Sequence, residues 1–248
     1  MSTKPSTIQE QNICLPAHEL AEFMDEYHND VSPWRIFKIM AEFVEGFEFL
    51  KKYKLAATIF GSARMGFDHD IYKEATRLAH KLSKKGFAII TGGGPGIMEA
   101  ANKGAYEAGG TSAGINIQLP KEQRTNGYVK ESAAFHYFFT RKVMLSFASE
   151  VYIYFPGGFG TLDEFFEIIT LVQTKKVKSI PVVLVNREYW TPLLAWIERD
   201  VFKKNHAIDK EDMKIYHLVD TADEAYDLIL TLMKKNVRGL KSSIKGFS

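Results

Sequence analysis

The chain has almost no cysteine. Cys14 stands alone in 248 residues, which excludes an internal disulfide and any cysteine-built metal cluster. Long apolar runs are missing too: no stretch approaches the ~18 residues of a membrane-spanning helix. The first 20 residues carry Lys4, Glu10 and Glu19 around no apolar centre, unlike a secretory signal, so the expected setting is the cytoplasm. There is no excess of one charge: a net +2 gives no electrostatic case for a nucleic-acid or membrane partner. Two nucleotide fingerprints are absent as well. In a Gly-x-Gly-x-x-Gly reading started at Gly92 the third glycine falls on Ile97, and in one started at Gly158 it falls on Asp163. The strand that should carry the ribose-binding acid, residues 111–118, contains none, and no Gly-x4-Gly-Lys-Ser/Thr occurs. The seven histidines, His69, His136 and His217 among them, show no metal-ligand spacing, so no metal site is expected.

What is present is an ordinary globular composition, 46% hydrophobic and 25% charged, at a length that buries one substantial core. Residues 1–52 read as a polar N-terminus followed by a helical extension, with helices expected over 17–29 and 33–52. The second opens on Ser32-Pro33, an N-cap followed by proline at the first helical position, and spaces Phe37, Met40, Val44, Phe47 and Leu50 along one face. That face packs on its own domain or against another subunit. Residues 53–236 then alternate strand and helix. Strands are expected over 55–60, 87–91, 111–118, 135–139, 151–155 and 180–185. Helices are expected over 69–85, 96–108, 141–149, 160–175, 189–203 and 222–235. This pattern predicts an α/β fold, a doubly wound and mainly parallel sheet with helices on both faces. Residues 237–248, with Arg238, Lys241 and Lys245, read as a basic tail.

Ligands of such sheets sit beyond the carboxyl ends of the strands, and three glycine turns fall there: Gly61-Ser62, Gly92-Gly93-Gly94-Pro95-Gly96 and Pro156-Gly157-Gly158-Phe159-Gly160. The last joins a buried strand to a helix, aiming backbone N–H groups and the positive end of the helix at one point, as phosphate requires. Glu164 lies three residues beyond Thr161 and four beyond Gly160, so the three share a helix face. Asp163 and Glu167 fit a plain helix-dipole role; Glu164 fits that role or a chemical one. Arg141 and Lys142 follow Thr140, an expected N-cap, where cations oppose the helix dipole. Such placement calls for a compensating anion, either a ligand or a neighbouring acid such as Glu131. Ser62 is equally a phosphate donor and a turn residue, and the run from Phe135 to Phe139 reads as core strand.

Taken together, Gly92-Gly93-Gly94-Pro95-Gly96-Ile97-Met98-Glu99-Ala100, Arg141-Lys142 and Pro156-Gly157-Gly158-Phe159-Gly160-Thr161-Leu162-Asp163-Glu164 resemble the LOG (Lonely Guy) family. Its members are cytokinin-activating phosphoribohydrolases, long labelled possible lysine decarboxylases. The resemblance covers residues 55–235 and matches every fixed position of the motif Pro-Gly-Gly-x-Gly-Thr-x-x-Glu. It implies a Rossmann-like domain, a homodimer or higher homo-oligomer, that splits a nucleoside 5′-monophosphate into free base and ribose 5-phosphate. It implies Arg141 and Glu164 as the catalytic pair. Gly157, Gly158, Gly160 and Thr161 would hold the phosphoribosyl part, with Gly92, Gly93, Gly94, Ser62 and Lys142 completing the nucleotide site. No cofactor is needed for that hydrolysis, and no lysine is placed for a pyridoxal-phosphate Schiff base. A non-catalytic nucleotide sensor using the same cradle is the other reading. Plant-type members carry a histidine just before the Arg-Lys pair, where this chain has Phe138-Phe139-Thr140.

Overall fold

The computed structural model describes residues 33–118 and 125–245. These fall into two units cut between Ala41 and Glu42. The helix α1 (Pro33–Leu50) runs across that cut. Residues 42–50 of this helix fall within the larger unit. The helix expected over 17–29 lies outside the described residues.

Seven strands form one sheet in the order β4-β3-β2-β1-β5-β6-β7. They are β1 (Ala56–Phe60), β2 (Ala88–Thr91), β3 (Ser112–Ile117), β4 (Glu131–Phe135), β5 (Val151–Tyr154), β6 (Val182–Val185) and β7 (Tyr216–Val219). Every pairing is parallel. Between strands run α2 (Asp70–Lys84), α3 (Ile97–Glu107), α4 (Phe138–Ser146), α5 (Phe159–Gln173) and α6 (Arg187–Trp196), with α7 (Ala222–Lys245) last. From β1 the chain works outward to β4, then returns to β5 on the other side of β1. The switch point is thus the β1–β5 junction, where Phe60 pairs with Tyr154 so that the two strands end level.

The strands alternate strictly between two cores, as a pleat of period two demands. Ala57, Ile59, Val151, Ile153 and Phe155 pack with Leu78 and Leu82 of α2, Ala100 and Ala101 of α3 and Ile229 of α7. Ala56, Phe60, Tyr152 and Tyr154 face the other way, onto Phe49 of α1, Met144 of α4, Phe165 and Ile168 of α5 and Trp190 of α6. Both faces are covered, as the sequence pattern predicts. No helix among the described residues is long and apolar enough to cross a membrane.

Several expectations need correction. The fourth strand is not 135–139 but Glu131–Phe135, an edge strand whose Ser132-Ala133-Ala134 centre carries little β preference. The aromatic run behind it is the turn and first turn of α4, which begins at Phe138 rather than 141. The short edge strand β7 has no counterpart in the sequence reading. The last helix continues to Lys245, into the segment read as a tail. On α1, Val44 and Phe47 of the predicted apolar stripe are exposed, while Phe49 is buried.

Candidate active site

The turns after β1, β2 and β5 meet at the switch point and are joined through the main chain of one residue. The Ser62 N–H donates to the Pro156 carbonyl at 2.9 Å, and the Ser62 carbonyl accepts from Ile97 N, also at 2.9 Å. Gly96 makes the second contact possible. Its φ of +71° disfavours side chains, and a Cβ there would lie 2.3 Å from the Ser62 carbonyl oxygen. The Ser62 hydroxyl accepts from Arg64 N at 3.1 Å, an ordinary turn contact. On the β5 turn, a Cβ on Gly157 would meet Thr161 Oγ1 at 2.1 Å, so Thr161 is packed beneath the turn. The Tyr189 hydroxyl of α6 donates to the Gly157 carbonyl at 2.5 Å from the other side.

These turns enclose a cavity of about 900 Å³, within the range of small-molecule sites. Its wall carries Ser62, Gly92, Arg141, Lys142, Gly157, Gly158, Gly160, Thr161 and Glu164. The structure therefore brings together all of the sequence-singled residues except Gly93 and Gly94. Those two turn away onto Asn126, whose side-chain amide donates to the Gly93 carbonyl at 3.2 Å and the Gly94 carbonyl at 2.9 Å.

Arg141 reaches the cavity from α4, and its Nε donates to the Ile115 carbonyl at the end of β3 at 2.8 Å. A Cβ on Gly92 would lie 2.4 Å from Arg141 Nη2, so the missing side chain at 92 is the space the guanidinium occupies. Burial lowers the Arg141 pKa, with Glu164 pulling the other way; a guanidinium nevertheless stays charged in a protein. Glu164 is 8% exposed. Its Oε2 is buried with no hydrogen-bond partner among the described residues. Burial pushes its carboxyl up to about 8; Glu167 adds to the rise, and Lys142 and Arg141 oppose it. A buried carboxyl oxygen with no partner among the described residues costs stability, and such perturbed groups in clefts mark functional sites.

Lys142 has its anions within the protein. Its Nζ lies 2.6 Å from Asp163 Oδ1 and 3.1 Å from Glu167 Oε2. Burial lowers its pKa, but the two acids more than offset that and the net shift is upward. Glu131, the acid named from sequence, pairs with Lys52 at 3.4 Å instead. Nor is Thr140 the N-cap of α4; Tyr137 holds that position, and Thr140 sits inside the first turn. Sequence reasoning missed Arg64, Met65, Phe138, Phe159 and Tyr189 on the cavity wall. Arg64 and Met65 follow the Gly61-Ser62 turn directly and could have been read from it, whereas nothing local marks Tyr189.

A doubly wound parallel sheet with glycine turns gathered at its switch point defines the chain as a Rossmann-like α/β protein. The family described as “Possible lysine decarboxylase” matches residues 98–229, and the chain belongs to this family, the LOG family. It is 34% identical over 133 residues to “Probable cytokinin riboside 5'-monophosphate phosphoribohydrolase LOGL5” of Oryza sativa subsp. japonica, covering 51% of this chain and 52% of that protein. It is 27% identical over 147 residues to “Cytokinin riboside 5'-monophosphate phosphoribohydrolase” of Rhodococcoides fascians, covering 58% of this chain and 74% of that one. The chain thus spans about half the length of the rice relative. Among solved structures, the molybdenum cofactor carrier protein of Chlamydomonas reinhardtii aligns with a TM-score of 0.55 at 22% identity. That alignment covers 73% of this chain and 99% of the carrier, a likeness of fold alone.

Proposed function

We propose that the protein is a phosphoribohydrolase that cleaves the N-glycosidic bond of a nucleoside 5′-monophosphate, AMP or a cytokinin-type relative, to free base and ribose 5-phosphate. The observation that carries this reading is Glu164, whose buried Oε2 has no hydrogen-bond partner among the described residues and which shares the cavity wall with Arg141 and the β5 turn. A protein that only holds nucleotides gains nothing from such a group. The 5′-phosphate would sit on the first N–H groups of α5, at Gly158 and Gly160. The apolar wall formed by Phe60, Met98, Ile117 and Leu145 would take the base.

Breaking the bond builds positive charge at C1′, as in glycoside hydrolysis. Ionised Glu164 stabilises that charge, orients the ribose hydroxyls or accepts a proton from the attacking water. Water supplies hydroxyl to C1′, and its proton leaves on the base. Arg141 holds the nucleotide through charge-assisted hydrogen bonds and fixes it against Glu164. The decisive assay is release of free base from a panel of nucleoside monophosphates, with AMP, a cytokinin nucleotide and adenosine compared directly. Phosphate binding energy positions the sugar, so adenosine is expected to be a far poorer substrate than AMP. Equal rates on AMP and adenosine would sink the assignment of the β5 turn.

The reading includes a homodimer. Phe138 and Phe159 line the cavity at 64% and 91% exposure, and Phe139 and Phe147 are exposed on the same helix and just beyond it. Apolar surface of this kind suits a C2 partner. Light scattering at micromolar concentration is expected to give a dimer, with activity falling on dilution; a fully active monomer would refute this part.

A further inference from the structure

The helix that delivers Arg141 has no cap of its own. The side chain of Tyr137, the N-cap residue of α4, caps no backbone N–H of the helix, and the first turn holds no acid. The cations Arg141 and Lys142 follow immediately, in the orientation that the helix dipole disfavours. The missing anion comes from α1. Glu42 Oε1 accepts from His136 N at 2.6 Å, and Glu42 Oε2 accepts from Tyr137 N at 3.3 Å. The Thr140 hydroxyl shares its proton between Glu42 Oε2 and the Tyr137 carbonyl. One carboxylate thus satisfies two main-chain N–H groups and one hydroxyl at the mouth of a helix 94 to 98 positions away.

The rest of this face of α1 keeps the carboxylate in place. Gly46, one turn on, lies so close to α4 that a Cβ would meet Met144 Sδ at 2.4 Å and the Phe135 ring at 3.0 Å. Off that face, the exposed Phe47 lies edge-on to Phe147, just past the end of α4, at 6.2 Å between centroids. Phe49 is buried in the core shared with Met144 and Leu145. Spacings of four and seven from Glu42 set Gly46 and Phe49 on one helix face. On its far side α4 is tied to the sheet by the Arg141 Nε–Ile115 carbonyl bond. The height and tilt of α4 between these anchors decide where the guanidinium ends up.

We propose that Glu42 is a positioning residue for Arg141. By capping α4 from the preceding helix it holds the guanidinium in the cavity beside Glu164, so part of the active site's geometry is set by a helix outside the nucleotide-binding motifs. Its effect on turnover rests on the phosphoribohydrolase reading; its effect on Arg141 does not.

The test uses the full chain with Glu42→Ala, Glu42→Asp and Glu42→Gln, and reads two quantities. One is AMP hydrolysis. The other is the Arg141 Nε–H resonance in arginine-labelled protein, assigned with Arg141→Lys and followed by hydrogen exchange. Misplacing a catalytic group by about 1 Å costs up to ~10²-fold, so Glu42→Ala is expected to lower kcat by ~10-fold or more and to raise KM as well, since Arg141 also holds the nucleotide. The Arg141 Nε–H is expected to lose its slow exchange in the same variant. Glu42→Asp keeps the charge but shortens the reach, and is expected to follow Ala, standing in for it should Ala not fold. Glu42→Gln keeps an acceptor for His136 N but removes the anion and sets an amide NH2 against Tyr137 N, so it is expected to fall between Glu42→Ala and the wild type in both signals. Phe49→Leu, a packing change on the same helix, is expected to lower the melting midpoint while leaving kcat and the Arg141 resonance as in the wild type. Wild-type kcat and a wild-type Arg141 signal in folded Glu42→Ala or Glu42→Asp would overturn the proposal, as would equal damage from Phe49→Leu. If the wild type hydrolyses no nucleotide, the functional reading fails by itself and the Arg141 resonance still decides the role of Glu42.

Discussion

The two long glycine turns look alike in sequence and do opposite things. After β2, the glycines make room for the protein's own atoms: a Cβ on Gly92 would strike Arg141 Nη2 at 2.4 Å, and one on Gly93 would strike Asn116 Oδ1 at 1.8 Å. Behind that turn Thr91, Asn102, Ser112 and Asn126 form a polar network of side-chain hydrogen bonds. After β5, Gly157 makes room for Thr161, but a Cβ on Gly158 or Gly160 would meet nothing within 4 Å. That turn stands open to the cavity, with the first N–H groups of α5 behind it. Glycine in a strand-to-helix turn thus marks a close approach of backbone, and the neighbours decide whether the approaching group is internal or a ligand.

Loss of the carboxylate is the harshest test of the open turn. Glu164→Gln is expected to fold and to bind nucleotide while losing ~10²-fold or more in turnover, the scale of a charge-stabilising group. Near-wild-type turnover of a folded variant would return Glu164 to a helix-dipole role. The glycines then separate the turns directly. Gly93 has a φ of +74°, so Gly93→Ala combines a left-handed backbone cost of about 1–3 kcal/mol with the Asn116 collision, read as a lowered melting midpoint. Gly158 has an ordinary extended φ of −95° and open space beside it. Gly158→Ala is therefore expected to stay within about 0.5 kcal/mol of wild-type stability while raising KM for AMP. Equal stability losses in the two variants would erase the distinction between the turns.

A dependence on pH separates the carboxyl from the turns. Burial pushes the Glu164 carboxyl from an ordinary 4.5 up to about 8 in the folded protein. Across that window the folded state holds a proton that the unfolded state has released, so this group's contribution makes the protein less stable as pH rises. Thermal midpoints of wild type and Glu164→Gln are therefore expected to diverge in favour of the variant between pH 4.5 and 8 and to run parallel above that range. Since ionised Glu164 is the reactive form in the proposed mechanism, turnover is expected to rise over the same range while stability falls. A constant offset in midpoint would mean that the carboxyl is not shifted.

Legibility followed burial. The fully buried strands β1, β2, β5 and β6 are dense apolar runs and were readable to within two residues, whereas β4 and β7 lie at the sheet edges and carry weaker patterns. The residues of the cavity floor were readable because Gly157, Thr161 and Glu164 are local to one turn and one helix. What local pattern could not supply was the partner of a charge. Lys142 is answered by Asp163 and Glu167 on α5, the mouth of α4 by Glu42 on α1, and the Gly157 carbonyl by Tyr189 on α6. Thr140 looked like a cap because the aromatic residues before it resemble a strand, and only the position of β4 shows that the helix had already begun.

The neighbouring strands at the switch point are remote in sequence: Ala57 pairs with Val151, and Glu150 accepts from Ala56 N across 94 positions. Closing so long a loop is slow compared with forming any single helix or the local α2–β2–α3 unit. The cavity has no floor until that closure, because the turns of β1 and β5 are bonded to each other through Ser62 and Pro156. During refolding from denaturant, helical signal should therefore return well ahead of nucleotide binding, and the interval between them times the meeting of the two halves of the chain.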